Sequence, residues 1–69
     1  MVVIFGKANC PYTQRARDDY EGRGIPVQYV DVKKSRDNMT RMLEHSGGTR
    51  RVPVIVEESG KVLIGFGGT

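Results

Sequence analysis

Lys7, Cys10 and Thr13 stand three residues apart in the stretch KANCPYT, and Cys10 is the only cysteine in the 69-residue chain. A cysteine attacks as its thiolate, so a working nucleophile needs its pKa drawn down toward neutrality. Two features here would do that. Lys7 brings a positive charge. Pro11 suits the first position of a helix, where its missing N–H is not needed. That puts Cys10 at a helix N-terminus, among unpaired backbone N–H groups and the positive end of the helix dipole. Thr13 lies one turn on, on the same helix face. It is either a hydroxyl donor to the thiolate or an ordinary first-turn threonine, and it cannot form a disulfide. For Cys10 the alternative is an inert buried cysteine. The flanking Asn9 and Pro11-Tyr12, at a strand-to-helix loop, favour an exposed, functional one.

Composition bounds what this thiol works within. The length allows one domain, residues 1–69, with a small core. A single cysteine excludes an internal disulfide, and one cysteine with one histidine leaves no zinc site of the usual spacings. No apolar run approaches the length of a membrane helix. The opening MVVIFGK lacks the basic and longer apolar regions of a signal peptide. With one free thiol, which fits a reducing compartment, these features imply a cytoplasmic protein. Eleven basic residues against eight acidic ones give a net charge of +3. That mild excess favours anionic small molecules, but no helix is dense in Arg and Lys and no strand offers an aromatic stacking face for nucleic acid.

The elements that must position Cys10 follow from apolar periodicity. Val2–Phe5 reads as a buried strand closed by Gly6. A helix from the Cys10 region ends at Gly22 and Gly24, with Thr13, Ala16 and Tyr20 on its inner face. Val27–Val32 alternates as a second strand. Ser35 caps a second helix, whose Met39, Met42 and Leu43 form a buried stripe and whose end is Gly47-Gly48. His45 falls on its surface. Val52–Val56 is a third strand. After a turn at Ser59-Gly60, Val62–Phe66 is a fourth, too closely joined to the third for anything but an antiparallel hairpin. The order is β-α-β-α-β-β. Strands joined by helices of this length are expected to run parallel.

In this order of elements, CPYT between first strand and first helix, Lys7 before it, Val52-Pro53 at the third strand and GFGGT at the end (Gly65 to Thr69) resemble the glutaredoxins. The resemblance covers almost the whole chain. It implies a thioredoxin-like α/β fold, with a four-stranded mixed sheet flanked by helices. The family's third, C-terminal helix is missing or truncated here, so one sheet face is expected either to stay exposed or to be covered by a second copy or a partner, with weak self-association into a homodimer as the expectation. Thr13 replaces a second cysteine, so the chain is similar to a monothiol form of the CPYC class, not to the CGFS form. Short bacterial relatives with selenocysteine at the nucleophile position are similar too.

The resemblance also implies a site. Cys10 is the nucleophile, with Thr13 beside it. Pro53 matches the family's cis-proline, leaving Val52 backbone groups to pair with an extended peptide such as glutathione. Lys7 and Arg51, with Arg50 near, would meet its carboxylates. Tyr12 would wall the thiol. Gly67, Gly68 and Thr69 would offer backbone N–H groups to the γ-glutamyl carboxylate. The expected activity is glutathione-dependent thiol–disulfide exchange on glutathionylated proteins, with glutathione as co-substrate and neither metal nor bound cofactor. Two alternatives stay open. One is a dimer carrying a [2Fe–2S] cluster on two Cys10 and two glutathione thiolates. The other is an electron donor reduced by thioredoxin reductase, as the Gly65-Phe66 pair of some glutaredoxin-like proteins suggests.

Overall fold

A computed structural model of the chain describes residues 1–67. The elements follow in the order β1 (Val2–Gly6), α1 (Pro11–Gly22), β2 (Val27–Asp31), α2 (Arg36–Ser46), β3 (Val54–Val56) and β4 (Val62–Ile64). The strands form one mixed sheet in the order β2-β1-β3-β4. β1 and β2 pair in parallel, Val2 against Val27 through Gly6 against Asp31. β3 runs antiparallel to β1, with Phe5 opposite Val54, and β4 antiparallel to β3. This is the thioredoxin-like arrangement.

Strand alternation divides the core between the two sheet faces. Val2, Ile4 and Ile55 pack with Ala16 and Tyr20 of α1 on one side. Phe5, Val30, Val32 and Val54 pack with Met42 of α2 on the other. Ile4, Phe5, Val54 and Ile55 have no exposed surface, as expected of central strands covered on both faces. Val27 packs on the α1 cluster and Tyr29 lies on the same face under Arg17, whereas Val30 and Val32 belong to the α2 cluster. Among the described residues, the large hydrophobic side chains left exposed are Met1 and Ile64.

The helices end where the sequence places their stops. Ser35 accepts a bond from the Asn38 N–H at 3.1 Å and caps α2. Gly47 closes α2 in the left-handed conformation, φ 67°, with its N–H on the Leu43 carbonyl. At the far end of α1 the Tyr20 hydroxyl donates to Glu57 at 3.0 Å and ties the helix to the β3–β4 hairpin.

Three expectations need correction. β3 does not run parallel to the strand before it. α2 is only about 16 Å long, and the segment 47–53 can run back along it before β3 begins, so the chain re-enters the sheet at the end it left. β3 starts at Val54 rather than Val52, because Pro53 has no N–H to give a ladder. β4 stops at Ile64: Gly65 still gives its N–H to the Pro53 carbonyl at 2.7 Å, but Pro53 has no N–H to return and Gly65 sits at φ 86°, outside strand geometry.

Candidate active site around Cys10

Three segments meet at the end of the sheet where β1 finishes: the 7–10 loop leading into α1, the C-terminus of β2, and the entry to β3. The central residue is Gly6. Its strand register sets Asp31 beside it on β2 and brings Pro53 to the next position beyond the β1–β3 ladder. A side chain at Gly6 would collide with Thr13, its Cβ reaching Cγ2 and lying 2.5 Å from Oγ1. The first turn of α1 therefore rests directly on β1, and glycine is what lets it approach.

Cys10 is the N-cap of α1, with extended backbone (φ −97°, ψ 114°) and Pro11 following. Its N–H donates to the Lys7 carbonyl at 3.2 Å, and its carbonyl accepts from the Gln14 N–H at 3.2 Å. Both bonds fix the Cys10 backbone at the helix start. Contrary to expectation, Cys10 is not well exposed: 8% of its surface is accessible. Packing of the first turn onto Gly6 draws it inward. That burial pushes the thiol pKa up and is the largest single influence. The Thr13 side chain, the backbone N–H groups of Thr13 and Tyr12, and the charge of Lys7 pull it down, and together they win. The pKa lies below the ordinary thiol value. The Thr13 hydroxyl is itself buried, in a residue 2% exposed, and has no conventional acceptor, so the sulfur is the group it faces.

The other expected residues sort by position. Lys7 is half-buried beside the thiol loop. Tyr12 is half-buried, with the Arg15 guanidinium 5.4 Å from its ring centroid. The Val52–Pro53 peptide is cis. Pro53 is buried, Val52 half-buried and outside the β3 ladder, and Arg50 and Arg51 exposed just before them. The bond from Gly65 to Pro53 brings the start of the terminal glycines to this corner, and Gly67 is exposed there. Gly68 and Thr69 lie outside the described residues.

Three neighbours of the site did not stand out in the sequence. Gly6 reads there only as a strand terminator. Arg17 lies seven residues after Cys10, on the Thr13 side of α1, and its guanidinium carbon sits 4.1 Å from the Tyr29 ring centroid. The signals were the i, i+3, i+7 spacing and the alternation that puts Tyr29 on the α1 face. An open cleft of about 440 Å³ lies at the opposite end of β1, between Tyr20, Ile25, Pro26 and Glu57, away from the thiol. Among the described residues, no group of three or more His, Cys, Asp or Glu side chains is placed to hold a metal ion.

The glutaredoxin family model matches residues 2–61. The chain belongs to the glutaredoxin family. Two solved structures share its fold. The glutaredoxin grx-1 of Archaeoglobus fulgidus superposes with a TM-score of 0.81 at 21% identity, over 96% of this chain and 75% of that one. The thioredoxin-like protein BC3987 gives 0.83 at 21% identity, over 97% and 89%. In sequence the chain is similar to N-acetyl-S-hydroxy-L-cysteine reductase of Bacillus subtilis, 28% identical over 54 residues. Those residues are 78% of this glutaredoxin and span 57% of that relative's length. Family membership and the Cys10 geometry agree on a thiol-redox role.

Proposed function

We propose that this glutaredoxin is a glutathione-dependent thiol–disulfide oxidoreductase working with one nucleophilic cysteine. The observation that carries the reading is Cys10 itself: the chain's single thiol, capping α1, with its pKa held down by Thr13, backbone N–H groups and Lys7. With no second cysteine, the reaction takes two exchanges. The Cys10 thiolate attacks the glutathione sulfur of a glutathionylated protein. A Cys10–glutathione disulfide forms, the protein–glutathione disulfide breaks, and the protein sulfur leaves as a thiolate that takes a proton. A second glutathione thiolate then attacks the glutathione sulfur of that intermediate, and oxidised glutathione leaves with Cys10 restored.

In this reading Thr13 donates to the Cys10 thiolate, as attacker and as leaving group. Val52 offers backbone groups to the cysteinyl part of glutathione beside Pro53. Lys7 and Arg51 meet its carboxylates, Tyr12 walls the sulfur, and Gly67, Gly68 and Thr69 receive the γ-glutamyl end. The test is turnover of a glutathionylated peptide with glutathione and glutathione reductase. Turnover is expected in the native protein, to vanish in Cys10→Ser and to survive, slowed, in Thr13→Ala. Full activity in Cys10→Ser would sink the proposal.

The similarity to the Bacillus reductase favours a second reading, reduction of a small sulfenic acid. Cys10 would attack the sulfenic sulfur and expel hydroxide, which leaves as water. A second thiol would then attack the Cys10 sulfur, releasing the product thiol and leaving a new mixed disulfide on Cys10. A third thiol would attack the outer sulfur of that disulfide, leaving as the oxidised disulfide and restoring Cys10. Feeding both substrates to one enzyme sample separates the readings by kcat/KM.

A further inference from the structure

Three segments carry cations to the end of the sheet where Cys10 caps α1. Lys7 follows Gly6 directly. At the end of β2 the Val32 N–H donates to the Gly6 carbonyl at 2.9 Å, which ties the next segment to the close of β1. That segment turns tightly. The Lys33 N–H donates to the Asp31 carboxylate at 2.8 Å, and the Lys34 N–H to the Asp31 carbonyl at 3.3 Å. Lys33, Lys34 and Arg36, the first residue of α2, all stand exposed. On the other side of β1, exposed Arg50 and Arg51 precede the cis Val52–Pro53 peptide. Among the described residues none of these cations is held in an ion pair; the pairs found there are Met1 with Glu58 and Arg23 with Asp19.

The carboxylates lie mostly at the opposite end. Asp18, Asp19 and Glu21 fall in the second half of α1. Glu57 and Glu58 follow Val56, which pairs with Val3 near the start of β1, and the Tyr20 hydroxyl ties Glu57 to the end of α1. The thiol end has Asp31, whose Oδ1 is already bonded, and Asp37 in the first turn of α2. The net charge of +3 therefore conceals a polarised molecule, basic around the thiol and acidic at the far end. Its longest dimension is 30 Å, against a screening length of about 8 Å at physiological salt. A partner arriving at Cys10 meets the basic end with little compensation from the acidic one. Because a nucleophilic sulfur sits within this end, the partner that gains is one that brings a sulfur with it, and nucleic acid brings none.

We propose that Lys33, Lys34 and Arg36 on one side and Arg50 on the other form a docking rim for acidic protein segments, so that Cys10 serves proteins whose reacting cysteine is flanked by Asp and Glu. Complementary charge of this kind raises the rate of encounter and suppresses wrong partners. The proposal rests on Cys10 as the reactive thiol of the function proposed above, names the class of protein it serves, and leaves the exchange itself unchanged.

The test reads approach to Cys10 without glutathione. Three peptides with an N-terminal iodoacetyl group differ only in carrying three Glu, three Gln or three Lys residues. The Cys10 thiolate displaces iodide and forms a carbon–sulfur bond, and each rate is divided by that peptide's rate with mercaptoethanol. At about 0.1 M salt the native protein is expected to favour the Glu peptide over the Lys peptide about tenfold, the low end of what steering achieves. The preference collapses at about 1 M salt, where the screening length is about 3 Å. Lys34→Glu and Lys61→Glu change the net charge equally, but Lys61 is exposed beside the β3–β4 turn at the far end. Lys34→Glu is expected to cut the preference about threefold and Lys61→Glu to leave it intact, both keeping the native rate with uncharged iodoacetamide. Equal rates for the three peptides overturn the proposal, as does an equal loss in both variants, which would trace the effect to net charge alone. No alkylation by any peptide also overturns it, since the rim would then guard a thiol that proteins cannot reach. Protection of Cys10 by a single-stranded oligonucleotide at lower concentration than by the acidic peptide without its iodoacetyl group overturns it in favour of nucleic acid. Failure to turn over glutathionylated peptides would sink the glutathione reading and leave this measurement standing.

Discussion

Thr13 does two things with one side chain: its methyl group packs on Gly6 while its hydroxyl turns toward the Cys10 sulfur. The substitutions separate these. Thr13→Val keeps the shape and removes the donor, so the Cys10 pKa rises and alkylation at neutral pH slows several-fold. Thr13→Ser keeps the donor and preserves the alkylation profile. The same thiolate links folding to pH. A thiol whose pKa is lower folded than unfolded contributes stability that is fully present above the unfolded value and is lost as pH falls through the folded one. Urea unfolding should show native stability rising across that window, and Cys10→Ser should flatten the rise. The spacing of Lys7, Cys10 and Thr13 was legible in the sequence because it follows a helix start. The burial of Cys10 was not, because it depends on how closely the helix lands on the strand.

That landing is an element-scale matter. α1 approaches β1 as closely as Gly6 permits, so Gly6→Ala should destabilise the protein by about 1–3 kcal/mol through overpacking. The double variant Gly6→Ala with Thr13→Ala should recover part of the loss, since two of the three closest atoms are gone. Urea midpoints check both. On α2, Ser35→Ala removes the bond from Asn38 and should cost about 1 kcal/mol. Helix ends were readable because caps and glycines are local signals. The direction of β3 was not. Sequence shows that a helix joins two strands, whereas direction depends on whether segment 47–53 returns the chain to its starting end. Similarly, no local signal pairs Arg17 with Tyr29, and only the crossing of α1 over β2 brings them together.

At the scale of the whole molecule, one sheet divides a small core into two halves, and neither half is large. Met42 is fully buried and joins α2 to Phe5, Val30, Val32 and Val54. Met42→Ala should therefore cost about 2–5 kcal/mol. A single core in a chain this short rarely supplies more than about 3–5 kcal/mol in total, so the variant should be substantially unfolded at room temperature by circular dichroism. The division of the core was legible from strand alternation and the Met39, Met42, Leu43 stripe. The close of the candidate glutathione corner at Gly68 and Thr69 lies outside the described residues, and its part in binding stands on the family resemblance.

The account depends most on Cys10 being an activated thiol. Its pKa, taken from the pH dependence of iodoacetamide alkylation in the native protein, tests that most directly. The account predicts a midpoint below that of the same thiol in the urea-unfolded protein, moving upward in Thr13→Val. A native midpoint at or above that value would contradict it.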